Sequence, residues 1–493
     1  MRAFIASSIG VACAAAAVLP LTSPTGAAAT APAAPASAPV PVTAPRLPGS
    51  TQSLPLVPLA PPTTTPATTA PGSSGSSGDG VPLGLPARDV EPFSLLGVVW
   101  DDPEEELHGR IQVRTRAVDT GAWSPWQELE PHADSPDPAS AEGRGRGLRG
   151  ATAPLWVGDS DGVQARVLPE EGDGSDDSGD GPGLPRGLRL DLVDPGDAPA
   201  DDPTPQARAS SEANARLAPV GAHEIPALDQ EASQGDLEAV DAAPEAATDT
   251  PDAPDAADAP DTGGNTDGGS GDLMSAASGQ GIVRTGALTA DTLAPIGPRP
   301  AIVTRRGWGA DERLRGPFLY TKTVKVAFVH HTAMSNNYSC SQAPSLIRGI
   351  YRYHVKSNGW RDVGYNFFVD KCGKIYEGRA GGVARPVMGA HTYGFNANST
   401  GIAVLGSYST TKPSAAVVNA LSRLVAWKLG LHGVNPRGTV TVTSGGGKYP
   451  KGTKVGLRTV SGHRDGAQTS CPGDRLYREL GTVRERAARL QGR

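Results

Sequence analysis

Apolar positions follow a regular pattern in two stretches of the chain, and long runs of small or polar residues separate them. Between residues 90 and 195, short apolar segments recur at 93–100, at Ile111 and Val113 between arginines, and at 123–129, 155–157, 163–168 and 188–193. Strands of this length separated by turn residues predict a small all-β domain, sandwich-like, of unassigned function. From residue 298 two kinds of segment alternate. Residues 324–329, 365–370 and 402–405 read as buried strands, whereas 344–354, 414–429 and 474–490 place apolar residues at helical spacing, as with Leu476, Leu480, Val483 and Leu490. Such interleaving predicts an α/β domain over 298–493 built on a central sheet flanked by helices. The Gly-, Thr- and Pro-rich stretch 433–456 predicts a long surface loop.

The remaining segments carry no such pattern. Residues 30–89 are rich in Ala, Pro, Thr and Ser and read as a spacer. Residues 196–297 read as an acidic disordered linker, since 201–272 hold 17 acidic residues against Arg208 and Arg216. That linker is either a solvated tether or an electrostatic cover for a basic domain. Aromatic residues agree with this division: 18 of the 24 lie in 301–493 and five in 93–156. Trp123 and Trp126, in the motif WSPW, are either core residues or a platform for sugar rings. A uniformly folded chain is excluded.

Arg2, the apolar run 3–19 and the small residues up to Ala29 predict a secretory signal over residues 1–29. The run is shorter than the roughly 20 residues of a membrane span. The mature chain is therefore expected to be secreted and without a transmembrane anchor; it is also expected to be a monomer.

Charge divides along the same boundary. The formal net charge of −7 combines 29 Lys and Arg against 9 Asp and Glu in residues 301–493 with 16 against 43 in residues 1–300. A basic domain on an acidic lead predicts a polyanionic partner: nucleic acid, an anionic membrane or an anionic wall polymer. No known nucleic-acid motif and no basic groove interleaved with aromatics is visible, so nucleic acid is not expected.

Two segments of the basic domain carry metal-type donors. VAFVHHTA ends a strand in His330 and His331, and SGHRDGAQTSCPG places His463 eight residues before Cys471. One thiolate and two neutral imidazoles make three donors to Zn²⁺ and leave a fourth position open, as at catalytic rather than structural zinc. The residual positive charge would lower the pKa of a bound water and polarise a carbonyl.

With GWRDVGYNFFVD and GAHTYGFNANSTGIAVLG, these segments resemble the peptidoglycan recognition protein and N-acetylmuramoyl-L-alanine amidase family, with motifs in the expected order from about residue 302 to 480. The signal, β domain, acidic linker and amidase order also resembles secreted amidases of actinobacteria. The resemblance implies a mixed sheet flanked by helices. It implies hydrolysis of the amide joining the lactyl group of N-acetylmuramic acid to L-alanine in peptidoglycan.

Carried onto this chain, it implies His330, His463 and Cys471 as zinc ligands and leaves His331 to packing. It implies that Tyr365 polarises the amide carbonyl and that the Thr469 hydroxyl supports the attacking water or the tetrahedral intermediate. Arg379, His391 and Asn396 match segments along the substrate cleft, although Asn396 also suits a turn cap and Arg379 a surface position. Where relatives that select diaminopimelate have Gly-Trp, this chain has Ala380-Gly381-Gly382, leaving the third stem residue open. Relatives that bind peptidoglycan without cutting it usually lack the thiol of Cys471, so its presence favours the enzyme over a recognition module. Cys340 and Cys372 remain, at no ligand spacing from a histidine motif. They are expected to form a disulfide worth roughly 3 kcal/mol by loop closure.

Overall fold

In the computed structural model the described residues are 49–59, 83–130, 134–144, 147–169, 184–199, 204–240 and 294–493. The expected signal segment, residues 1–29, lies outside them. Among the described residues no helix is long and apolar enough to cross a membrane.

The N-terminal domain is an antiparallel sheet. Its strands are β1 (Ser50–Pro55), β2 (Val57–Pro58), β3 (Leu83–Trp100), β4 (Gly109–Ala117), β5 (Gln127–Leu129), β6 (Gly150–Ala151), β7 (Leu155–Pro169) and β8 (Arg189–Asp194). The main order is β1-β8-β3-β7-β4-β5, with β2 and β6 also paired to β3. Register shifts between β3 and β7 around Leu85–Arg88 and Asp89–Phe93 bend the long strands. Leu85 before the shifts and Leu96, Val98 and Trp100 after them consequently bury in one core with Ile111, Val163 and Val167. Alternation along β4 turns Ile111, Val113 and Thr115 inward and the intervening Arg110, Gln112 and Arg114 outward.

This domain starts earlier than residue 90. Strands β1 and β2 and the first residues of β3 fall in the expected spacer 30–89, because backbone pairing of Ser50–Pro55 with Asp194–Arg189 builds a strand without an apolar run. Trp123 and Trp126 are half-buried, and guanidinium groups stack on them: Arg114 at 5.3 and 5.2 Å from the two rings and Arg166 at 4.3 Å from Trp126. They are neither a closed core nor an open platform.

The expected linker 196–297 is also folded in part. Residues 204–240 form α1 (Pro205–Glu212), β9 (Glu224–Ile225) and α2 (Leu237–Val240). Thr204 caps α1 by accepting the Ala207 N–H, with proline in the first turn. The segment docks on the C-terminal domain through buried polar pairs: Asn214 to Glu377 at 2.9 Å, Ser210 to Glu312 at 2.9 Å, and Asp236 to both Arg299 at 2.7 Å and Trp427 at 2.8 Å. An excess of acidic residues predicts disorder only when their partners are out of view. Residues 241–293 lie outside the described part.

The C-terminal domain is organised by a mixed sheet ordered β17-β11-β14-β12-β13-β10-β9. Its remaining strands are β10 (Ile302–Val303), β11 (Val326–His331), β12 (Phe367–Val369), β13 (Ile375–Glu377), β14 (Ser399–Val404) and β17 (Val460–Gly462). Strands β17, β11, β14 and β12 are mutually parallel, and β13 is antiparallel to β12. Alternate residues send Val329, Phe367, Ile402 and Val404 to one face, against Leu421 and Leu424 of α5 (Ala415–Leu431) and Leu476, Leu480 and Val483 of α7 (Asp474–Leu490). Phe368 and Ala403 face the other way, against Leu346, Ile347 and Ile350 of α4 (Ala343–Arg352).

The N-terminal domain adds Leu95, Val99, Trp156 and Val193 to the α4 cluster. The Tyr353 hydroxyl reaches into that domain and donates to the Thr152 carbonyl at 3.2 Å. Gly97 makes this approach possible, since a Cβ there would lie 2.2 Å from the same hydroxyl.

Within 433–456, the expected loop, the Thr-Val-Thr-Val-Thr alternation builds strand β15 (Thr439–Thr443). It pairs with β16 (Lys454–Arg458) in a hairpin. Val455 and Leu457, with Val440 and Val442, pack over Phe328 and Phe395. The Gly-rich turn hides a short period-two pattern.

Candidate metal centre

Parallel pairing places Val329 of β11 opposite Gly462, the last residue of β17, so the residues that follow, His330 on β11 and His463 just after β17, emerge at the same end of the sheet. Their ring centroids are 4.4 Å apart. Carboxyl ends of parallel strands are the usual place for a site in an open α/β sheet. After His463 a single turn returns the chain to Cys471, whose Sγ lies 3.9 Å from His330 Nδ1 and receives the His331 backbone N–H at 3.4 Å.

Donor atoms of His330, His463 and Cys471 all fall within 4.8 Å of one another, and all three residues are buried. Burial first and the Asp134 carboxylate next push the Cys471 thiol well above its ordinary range, against the N–H of His331. A divalent cation among these donors would reverse that preference and hold the thiolate. Two imidazoles and one sulfur form a donor set that fits zinc. His331 turns away, and its Nδ1 accepts the Tyr408 N–H at 3.2 Å.

Tyr365 precedes β12 with its ring 5.2 Å from that of His330. Its hydroxyl donates to Asp134 Oδ2 at 2.5 Å. Burial, followed by the charge of Asp134, raises this phenol well above its ordinary pKa, so it is a neutral donor. His391 meets His330 edge-on at 5.3 Å, and burial and then His330 hold it neutral. Gly401 leaves room for that ring, because a Cβ there would lie 2.4 Å from His391 Cγ.

Thr469 is brought to the thiol loop rather than to the donors, with its hydroxyl accepting the Cys471 N–H at 3.1 Å. Asn396 caps a turn by accepting the N–H groups of His391 and Thr392 at 2.7 and 2.9 Å. Its Nδ2 also reaches the Ser135 carbonyl at 2.8 Å. Arg379 is buried, not a surface residue; it donates to the Val363 carbonyl at 2.8 Å and to Glu142 at 3.1 Å. The pocket beside Phe328 is lined by Lys325, Phe395, Asn398 and Leu457 and contains none of the donors.

Three acidic residues at the site escape sequence reasoning: Asp134, Asp137 and Glu142, all from the N-terminal domain. Asp134 Oδ1 lies 3.4 Å from His330 Nδ1 and 3.2 Å from His463 Nε2. Nothing local distinguishes these residues from other acidic loop residues. This loop thus carries carboxylates to the basic domain, and Glu130 just before it lies 3.6 Å from His331 Nε2. Cys340 and Cys372 are joined in a disulfide, and Cys471 is a free thiol.

Fold and site together define an α/β domain with a buried cluster of three donors that could hold a metal ion. The family described as N-acetylmuramoyl-L-alanine amidase matches residues 320–474, and the family described as Rv3811 N-terminal galactose-binding domain-like matches residues 48–209. Peptidoglycan-recognition protein SC2 of Drosophila simulans is 31% identical over 183 residues, covering 37% of this chain and 85% of that protein. The N-acetylmuramoyl-L-alanine amidase of Homo sapiens is 30% identical over 190 residues, 37% of this chain and 28% of its own length. Among solved structures, Drosophila PGRP-LB is 27% identical, with 37% of this chain and 92% of that chain covered and a TM-score of 0.30. Peptidoglycan recognition protein-LE, solved in complex with tracheal cytotoxin, is 28% identical at the same coverage and a TM-score of 0.30. The C-terminal part of the chain belongs to the peptidoglycan recognition protein and N-acetylmuramoyl-L-alanine amidase family.

Proposed function

We propose that the C-terminal domain is a zinc-dependent N-acetylmuramoyl-L-alanine amidase that cuts the amide between the lactyl group of N-acetylmuramic acid and L-alanine. The observation that carries this reading is the convergence of His330, His463 and Cys471 within 4.8 Å, beside the hydroxyl of Tyr365. Zinc held by these three residues would supply Lewis acidity toward the amide carbonyl and an activated water.

The chain's own residues do the rest. Tyr365 keeps its proton and aims it at an oxygen beside the two histidines. With a substrate carbonyl in that position, the same donor stabilises the negative charge that develops on it. Thr469 holds the backbone of Cys471 and so sets the thiol's position. His391, neutral and packed against the His330 ring, is a positioning residue. Arg379 and Asn396 meet a carboxylate and a carbonyl, the groups a stem peptide presents. The basic excess of residues 301–493 suits an anionic envelope of peptidoglycan and wall polymers. The signal-like residues 1–29 support export to it.

The test is to incubate the purified chain with sacculi, with and without a chelator and with zinc restored, and to identify the products by mass spectrometry. Stem peptides with a free L-alanine amino terminus, released only with zinc, support the amidase. New reducing sugar ends alone would sink it, and chelator-insensitive binding without cleavage would favour a recognition module.

A further inference from the structure

We infer that Asp134 is a fourth protein ligand to the metal, donated by the N-terminal domain, and that the segment from Asp134 to Glu142 occupies the substrate position in the resting chain. The inference rests on reading the C-terminal domain as a zinc amidase. Three protein ligands leave one tetrahedral position for water or substrate. Asp134 brings a carboxylate oxygen to within 3.4 Å of His330 Nδ1 and 3.2 Å of His463 Nε2, while its other oxygen takes the Tyr365 proton donor at 2.5 Å.

The residues that follow engage the groups assigned to the stem peptide, one after another. The Ser135 carbonyl accepts from Asn396 at 2.8 Å. Asp137 accepts from the Gly394 N–H at 2.5 Å and from Asn396 at 3.2 Å. Glu142 accepts from the Arg361 N–H at 3.0 Å and from Arg379 at 3.1 Å. Tyr365, Asn396 and Arg379 are thus all held by one stretch of the same chain. That stretch offers carboxylates and carbonyls, as a muropeptide does.

These contacts are not incidental surface pairs. Asp134 is 6% exposed and Glu142 fully buried, and a buried carboxylate persists only when its partners are good. The shared apolar cluster on α4 keeps the two domains together, so the segment competes at the high effective concentration of an intramolecular ligand.

The experiment uses the full chain and two variants, Asp134→Ala and Asp134→Asn, the second keeping the volume and shape of the native residue. Each is loaded with zinc, metal content is measured, and the rate of zinc transfer to a chromophoric chelator is followed. Cleavage of a soluble disaccharide-tetrapeptide is recorded alongside. The expected result is one zinc per chain throughout, with transfer at least about tenfold faster and kcat/KM at least about tenfold higher in both variants. Unchanged transfer and unchanged kcat/KM, with zinc bound, would overturn the inference and leave the amidase reading standing. Faster transfer with no cleavage by any form supports the fourth ligand and defeats the amidase. Wild type and variants that hold no zinc overturn both.

Discussion

The hydroxyl of Tyr365 and the carboxylate of Asp134 lie 2.5 Å apart, joining residues 231 positions apart in the chain and two separate domains. Their contact sits beside His330 and His463, two of the three candidate metal donors. The hydroxyl proposed to stabilise a reacting oxygen is thereby engaged by the chain itself.

Replacing Tyr365 with Phe removes that donor and keeps the ring against His330. Cleavage of muropeptide is expected to fall about 10²–10³-fold, the usual effect of losing one such donor, with zinc content unchanged. Metal analysis beside steady-state kinetics checks this. Loss of zinc in the variant would refute the assigned role.

Cys471→Ser keeps the size of the side chain but replaces the soft donor. Stoichiometric zinc and cleavage should disappear together while sedimentation with sacculi persists, the behaviour of a recognition module. A variant that still cuts with a full zinc complement would remove Cys471 from the ligand set.

Asp236 tests whether residues 204–240 are integral to the fold. Its pair with Arg299 is 2.7 Å long with side chains 5% and 4% exposed, so Asp236→Asn leaves a buried guanidinium without its counter-charge. Such losses cost about 3–5 kcal/mol, to be read from denaturant unfolding. A change below about 1 kcal/mol, the range of exposed pairs, would make the segment an accessory.

Asp137 carries a pH dependence. Burial raises its carboxyl from 3.8 to about 6, against the hydrogen bonds from Gly394 and Asn396, and the neighbouring Tyr393 stays protonated in this range. The folded chain therefore binds this proton more readily than the unfolded one. Its contribution is complete below 3.8 and is lost as pH rises through about 6. The difference in Tm between wild type and Asp137→Asn should vary over that window and be flat above it; a flat difference throughout would contradict the desolvation of this carboxyl.

Breaking the Cys340–Cys372 disulfide, whose partners are 32 positions apart, with Cys340→Ser should cost about 3 kcal/mol. Unfolding of reduced and oxidised wild type gives the same comparison without mutation. Equal stability of the two would show that the link does not constrain the unfolded chain.

Helix α7 spans Asp474–Leu490, the same bounds its apolar spacing predicts, because a helix is specified by residues three and four apart. Strand β11 runs from Val326 to His331, two residues later at each end than the apolar run. The hairpin of β15 and β16 was hidden by glycines whose turn matters only once Phe328 and Phe395 offer an apolar surface beneath it. Residues 204–240 read as a tether for a similar reason. Asp236 is a liability until Arg299 and Trp427, 63 and 191 positions away, enclose it.

By itself the sequence determined the alternation of strands and helices and the motifs bearing His330, His463 and Cys471. Those follow from local periodicity and from the few side chains able to bind a soft divalent metal. Tertiary structure alone decided that Asp134 lies beside His330 and His463 and that Asp137 and Glu142 meet Asn396 and Arg379. A carboxylate in a loop carries no mark of its destination; only the packing of β3 and β8 against α4 brings that loop to the candidate metal site, where paired burial becomes more favourable than hydration.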